Sequence, residues 1–342
     1  MLSTLAGAAI VYPTPVARVA VFDAHHWALV ALVPGGSHIL TSLPGFGGSN
    51  YGVYGNELAE VYNGNAGCVL RTFSLKSGHP LTTVQVRGLR IIGMKEGPVR
   101  GVVFTGQCAV FPAGTGINLL GCQFMVVVNL KTHLISRFPP PHRLRLSDYP
   151  AAVPGGLAWC TSRGRAAIFL AKQKKFRLVG GLRVNHARLV YVPSYGLVAW
   201  NFRGMFHRLT DSRLQPVRAR VRQLPGHVMM YGLQASRVEH RASIVYYADR
   251  SGAVGGKPRK ATTIISAYDL VRNRLTWRVR FDFRADAWFG VSPHGRTLCM
   301  ADYTHHSAVL YSVRPGRLFH TPLSHVDLYN FRVLSVRRSG HP

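Results

Sequence analysis

The sequence predicts an all-β fold, a single seven-bladed β-propeller of four-stranded blades spanning residues 1–342, its ring closed by a C-terminal strand paired with the N-terminal blade. Three observations lead there. Short apolar runs rich in β-branched and aromatic residues recur along the chain, each bounded by a turn of Gly, Pro, Asn or Arg. A unit of strand, tight turn, strand, loop, strand, turn, strand returns every 40 to 60 residues, which is the period of a propeller blade. Helical periodicity is missing: no window of eleven or more residues carries sustained i, i+3, i+4 apolar spacing behind a capping residue.

The last blade is the clearest and supplies the template. Strand a is expected at 288–292, strand b at 296–302, strand c at 307–313 and strand d at 317–323, with turns PHG and RPG. Sliding it backwards gives six further hairpins of the c–d type. They join 19–23 to 28–33, 68–75 to 81–86, 123–129 to 134–138, 206–209 to 217–221 and 262–270 to 275–281. The sixth joins 175–179 through Gly180 and Gly181 to 182–184, since Gly-Gly suits a two-residue hairpin turn. Seven hairpins over 342 residues leave about 49 residues per blade. One strand at 8–12 precedes the first hairpin and one at 329–336 follows the last blade. Pairing these two would close the ring and remove its exposed edges.

The pair VSPHGRTLCMAD (291–302) resembles the S-P-D-G-R-x-L strand pair of WD-repeat and YVTN-type propellers, with His294 where those families have Asp. AYDLVRNRLTW (267–277) is similar to the A-x-D-x-x-x-G-x-x-x-W motif of quinoprotein-type repeats, with Asn273 in the glycine place and Trp277 as the motif tryptophan. The resemblance implies a fold superfamily whose members do unrelated things, and its motifs are structural.

Charge is the strongest signal about partners. Lys and Arg number 42 against 13 Asp and Glu, a formal +29. Such a field draws an acidic protein, nucleic acid or acidic polysaccharide. An Arg-rich genome or habitat is the competing explanation. Three stretches stand out: Arg143 and Arg145; Lys172, Lys174 and Lys175; and Arg250 with Lys257, Arg259 and Lys260. In the predicted scheme the first lies on a d–a connection and the others on b–c loops, which would bring all nine to one face. Arg218, Arg220 and Arg222 alternate with Val217, Ala219 and Val221 and are expected on the solvent side of an outer strand, discouraging edge pairing. Tyr191, Tyr195, Trp200 and Phe202 lie nearby in sequence, where aromatics within strands are more often core than stacking platforms.

Catalytic signals are weak. No G-x-S-x-G elbow or phosphate-binding loop is present, and no catalytic residue or cofactor is assigned. Asp302, His305 and His306 are the one metal-ligand candidate, set against the tendency of adjacent residues on an extended chain to point opposite ways. Asp249, in YYAD, is equivalent to Asp302 in CMAD. The five cysteines show no C-x-x-C pair, which suits a reducing cytoplasm better than a disulfide-stapled secreted domain. No apolar stretch reaches the 18 residues of a membrane span. The expectation is a monomeric binding or scaffold protein whose basic loop face takes a polyanionic or acidic partner. The alternative is a hydrolase, lyase or quinoprotein-like oxidoreductase with its site in the central funnel.

Overall fold

The computed structural model describes residues 16–23, 26–43, 50–54, 56–91, 103–105, 107–115, 123–140, 150–161, 164–183, 187–201, 203–226, 234–235, 243–249, 262–285, 289–292, 295–314, 316–323 and 326–337. They form seven antiparallel sheets, six of four strands and one of five, arranged as a seven-bladed propeller. Strands are lettered a to d from the sheet edge that begins each blade. In blade 3 the a position is shared by two short strands, Arg90–Ile91 and Val103–Thr105, both paired with Cys108–Gly114. Strands b and c are the buried pair of each blade, and Gly156–Cys160, Thr263–Asp269 and Thr297–Asp302 are buried at every position. Strands d carry the solvent side, so their exposure alternates, as in Pro80–Arg87.

The core is a set of apolar layers between blades. One joins Tyr246, Ile265, Ala267 and Phe281 of blade 6 to Leu298, Met300 and Val309 of blade 7. Trp277 sits half-buried at its edge, its ring 5.8 Å from that of Tyr246. The motif tryptophan is therefore interblade packing. Trp277→Ala is expected to cost about 2 kcal/mol, below the full-burial range for an aromatic. An unchanged urea midpoint would show that the layer does not depend on it.

The ring closes through the C-terminal strand. Val326–Val336 supplies strand a of blade 1 and pairs antiparallel with strand b, Ala17–Asp23, from Ala17↔Val336 to Asp23↔Val326. Closure is as the sequence predicts, but the partner strand is Ala17–Asp23; residues 8–12 lie outside the described residues. The 19–23/28–33 hairpin is accordingly b–c, and Gly36–Leu43 is the d strand.

A single device recurs at all seven c–d turns. Each contains a residue with left-handed backbone: Gly35 (φ 74), Gly78 (φ 77), His133 (φ 58), Lys174 (φ 53), Leu214 (φ 63), Asn273 (φ 54) and Gly316 (φ 86). Several of these turns also begin with a side-chain acceptor. Asn129 Oδ1 accepts from the amides of Lys131 and Thr132 (2.9 and 3.0 Å), and Asp269 Oδ1 from those of Val271 and Arg272 (3.0 and 3.1 Å). Asp211 Oδ1 accepts from Arg213 and Gln215 (2.9 and 2.8 Å). Short polar side chains of this kind offer the backbone a local partner and so end the strand.

That device corrects one hairpin. Strand c of blade 4 is Arg165–Leu170 and strand d is Lys175–Gly181, registered from Leu170↔Lys175 to Arg165↔Gly181. The turn is 171–174, and Gly180-Gly181 lies at a bulge within strand d. Lysine in the left-handed slot disguises the turn, because that conformation costs a side-chain-bearing residue roughly 1–2 kcal/mol and is usually glycine.

Candidate functional site

Successive antiparallel strands turn at alternate faces, so the c ends of the blades lie on the face opposite the b and d ends. Lys172, Lys174 and Lys175 are exposed at the c–d turn of blade 4. Strand d of blade 3 ends at Phe138 and strand b of blade 6 at Asp249, both on the other face. The three lysines are therefore not on a b–c loop and do not share a face with those strand ends. Arg143, Arg145, Arg250, Lys257, Arg259 and Lys260 lie outside the described residues.

The outer rim matches expectation in its exposure but not in a regular strand over 217–221. Arg218, Arg220 and Arg222 are exposed, while Val217, Ala219 and Val221 between them are half-buried. Only Arg222–Gln223 pairs as a regular d strand in blade 5, and the Ala219 carbonyl lies 3.1 Å from His207 Nε2. Tyr195 and Trp200 are buried in the layer between blades 5 and 6, with the Arg208 guanidinium 4.4 Å from the Tyr195 ring centre. They are core residues. Phe202 lies outside the described residues.

A carboxylate–imidazole cluster does form at the b-strand end of blade 7. Asp302 is fully buried, and its Oδ1 accepts from the Thr304 and His305 amides (2.8 and 3.1 Å). His305 Nδ1 donates to Asp302 Oδ2 at 2.7 Å. The third member is His320, whose Nδ1 lies 3.8 Å from the same oxygen and 3.0 Å from Ser307 Oγ. Its strand d position opposite Val309 brings it there, a cross-strand placement that short-range spacing does not reveal. His306 is an exposed left-handed turn residue (φ 48). Among the described residues no three His, Cys, Asp or Glu side chains are placed to hold a metal ion together.

The cluster's chemistry is that of a latch. A serine–histidine–carboxylate relay requires serine and carboxylate on opposite ring nitrogens, whereas Ser307 and Asp302 both address Nδ1 of His320. The loop leading into blade 7 is tied to the same turn. The Arg284 amide donates to Thr304 Oγ1 (3.1 Å), and the Tyr303 amide to the Arg284 carbonyl (2.9 Å). Asp249 does the equivalent in blade 6, reaching across strand c to accept from Arg278 Nη2 at 3.2 Å. A carboxylate at the end of strand b facing a nitrogen base on strand d thus recurs in blades 6 and 7.

Three of the described cysteines are chemically quiet. Cys68, Cys160 and Cys299 are buried, and burial pushes the first two thiols up to about 12 and the third higher still. Thiols so shifted are poor nucleophiles at neutral pH. No helix among the described residues is long and apolar enough to cross a membrane.

The molecule is a seven-bladed β-propeller, and solved structures of known proteins place it in that company. AztD of Citrobacter koseri, in its apo form, is 12% identical, with 94% of this chain and 98% of that one covered at a TM-score of 0.52. A functionally unknown protein from Desulfotomaculum acetoxidans DSM 771 is 12% identical over 94% and 99%, TM-score 0.55. A candidate 6-phosphogluconolactonase of Bacteroides fragilis NCTC 9343 is 13% identical over 94% and 97%, TM-score 0.52. Likeness at such identity shows the fold alone. No protein-family model matches the chain, and no curated protein does.

Proposed function

We propose that the protein is a non-enzymatic binding propeller whose positively charged surface takes a polyanionic partner. One observation supports this above the others: four of the described acids lie inside the fold. Glu60, Asp249, Asp269 and Asp302 are all buried, and Asp211 caps a turn. The 42 basic residues therefore meet even less compensating charge at the surface than the sequence total of 13 acids implies. Uncompensated like charge repels itself, and a polyanion that neutralises it releases condensed counterions on binding.

The exposed lysines of blade 4 and the arginines of the outer rim contribute to this surface, and no described cluster has the geometry of a nucleophilic or acid–base site. Binding to heparin and to a homopolymeric RNA is expected to fall linearly on a log–log plot as salt rises from 50 to 500 mM. Absent or salt-independent binding to both would overturn the reading.

A further inference from the structure

Resting on that reading, we infer that the polyanion surface is centred on the outer rim of blades 5 and 6 and fits the phosphodiester backbone of a nucleic acid. Seven arginines lie on this rim. Arg218, Arg220 and Arg222 line the outer segment of blade 5, and Arg272, Arg274, Arg278 and Arg280 occupy the c–d turn and d strand of blade 6. All seven are exposed. The two rows are one surface, because Arg222 Nη1 donates across the blade boundary to Asn273 Oδ1 at 3.4 Å. Asn273 is itself held by the Tyr268 hydroxyl, which donates to the same oxygen at 2.9 Å.

The compensating carboxylates are few and poorly placed. Asp249 and Asp269 are buried beneath Arg278 and Arg272. Asp282, 3.7 Å from Arg280, is largely exposed. Arg218, Arg220 and Arg274 have no ion pair among the described residues. Repulsion among these guanidinium groups is relieved by an anion lying along the rim.

Residue type and spacing choose the anion. The rim contains no lysine, and the planar arginine fork binds phosphate oxygens two at a time where lysine acts as a point charge. Arg278 and Arg280, alternate residues on a strand, repeat every ~6.8 Å, a spacing on the scale of successive phosphates along an extended strand, and Arg218, Arg220 and Arg222 alternate in exposure in the same way. An alternating Arg-x-Arg-x-Arg row therefore offers one guanidinium per phosphate. Discouraging edge pairing accounts for charge on each outer strand, since both are sheet edges, but not for the Arg222–Asn273 bond that joins the two rows.

The test uses the full chain and four proteins: wild type, R218A/R220A/R222A, R218K/R220K/R222K, and K172A/K174A/K175A. Binding of a fluorescein-labelled single-stranded RNA homopolymer and of heparin is titrated at several salt concentrations. The alanine rim variant is expected to bind RNA about a hundredfold more weakly at 0.1 M salt, with its log–log slope reduced by about 2, for three lost single-strand phosphate contacts. The lysine rim variant should keep the slope and lose affinity, and the K172A/K174A/K175A variant should lose less RNA affinity than the alanine rim variant. Matching thermal melts among the four exclude misfolding. The inference is overturned if RNA binds and the rim variants equal wild type, or if heparin depends on the rim arginines as strongly as RNA. If neither polymer binds wild type, the proposed function itself fails, a distinguishable outcome.

Discussion

Removing residues 326–342 is expected to abolish the cooperative melt. The lost strand, Val326–Val336, is the sole partner of one edge of Ala17–Asp23, and its removal exposes that whole row of amides and carbonyls. It also empties two interblade layers at once. Phe331, Val333 and Val336 pack into the layer between blades 7 and 1, and Leu334 into the one between blades 1 and 2. Burying four such side chains is worth roughly 1.5–3 kcal/mol each, a sum comparable with the roughly 5–15 kcal/mol that holds a domain together. The contact is intimate: a Cβ on Gly290 of blade 7 would collide with Val333. Two further ties would go, Arg337 N to the Val16 carbonyl (2.7 Å) and Arg337 Nη2 to Asn56 Oδ1 (2.8 Å). Calorimetry of the truncated chain should show a broad or absent transition and size exclusion should show aggregates. A synthetic peptide of residues 326–337 should restore the transition in part by adding the strand in trans. A truncated chain melting as sharply as the full one would refute closure by this strand.

Seven blades were legible because turn chemistry marks most of them. In DLVRNR the opening Asp269 caps the turn and Asn273 takes the left-handed position that glycine fills elsewhere. Lys174 occupies the same position without the Asp, Asn or Gly that marks such a turn in sequence. That is why the sequence expectation sets the lysine turn of blade 4 one strand too far along, on a b–c loop instead of the c–d turn. The Asp302 cluster was half visible: Asp302 and His305 are neighbours in sequence, but His320 arrives only through pairing of strands c and d. Of the rim surface only the Arg218, Arg220 and Arg222 row is legible in the sequence. Its continuity depends on Arg222 meeting Asn273, 51 residues away. Glu60 gave no signal, because in Leu-Ala-Glu-Val-Tyr an acid reads as solvent-facing until the neighbouring blade is in place.

Among the described residues Glu60 carries the strongest pH dependence expected near neutral pH. It is fully buried in strand b of blade 2, and neither carboxylate oxygen has a hydrogen-bond partner within the described residues. Arg71 and Tyr51 sit opposite it on the flanking strands. Burial pushes its carboxyl up to about 7 from the ordinary 4.5, outweighing the charge of Arg71, which pulls the other way. The folded state therefore holds this proton more tightly than the unfolded chain does, so stability falls as pH rises. The loss begins near the ordinary value of 4.5, is nearly complete just above 7, and reaches about 3 kcal/mol, since each unit is worth 1.36 kcal/mol. Glu60→Gln keeps the volume and a buried polar group but removes the titration. The variant should match wild type within about 1 kcal/mol at pH 4.5 and exceed it by about 3 kcal/mol at pH 8. Urea melts at the two pH values measure the difference, in which the amide's own unmet hydrogen bonds cancel. An equal gap at both would mean that Glu60 is ionised in the fold throughout and that Arg71, not burial, governs it.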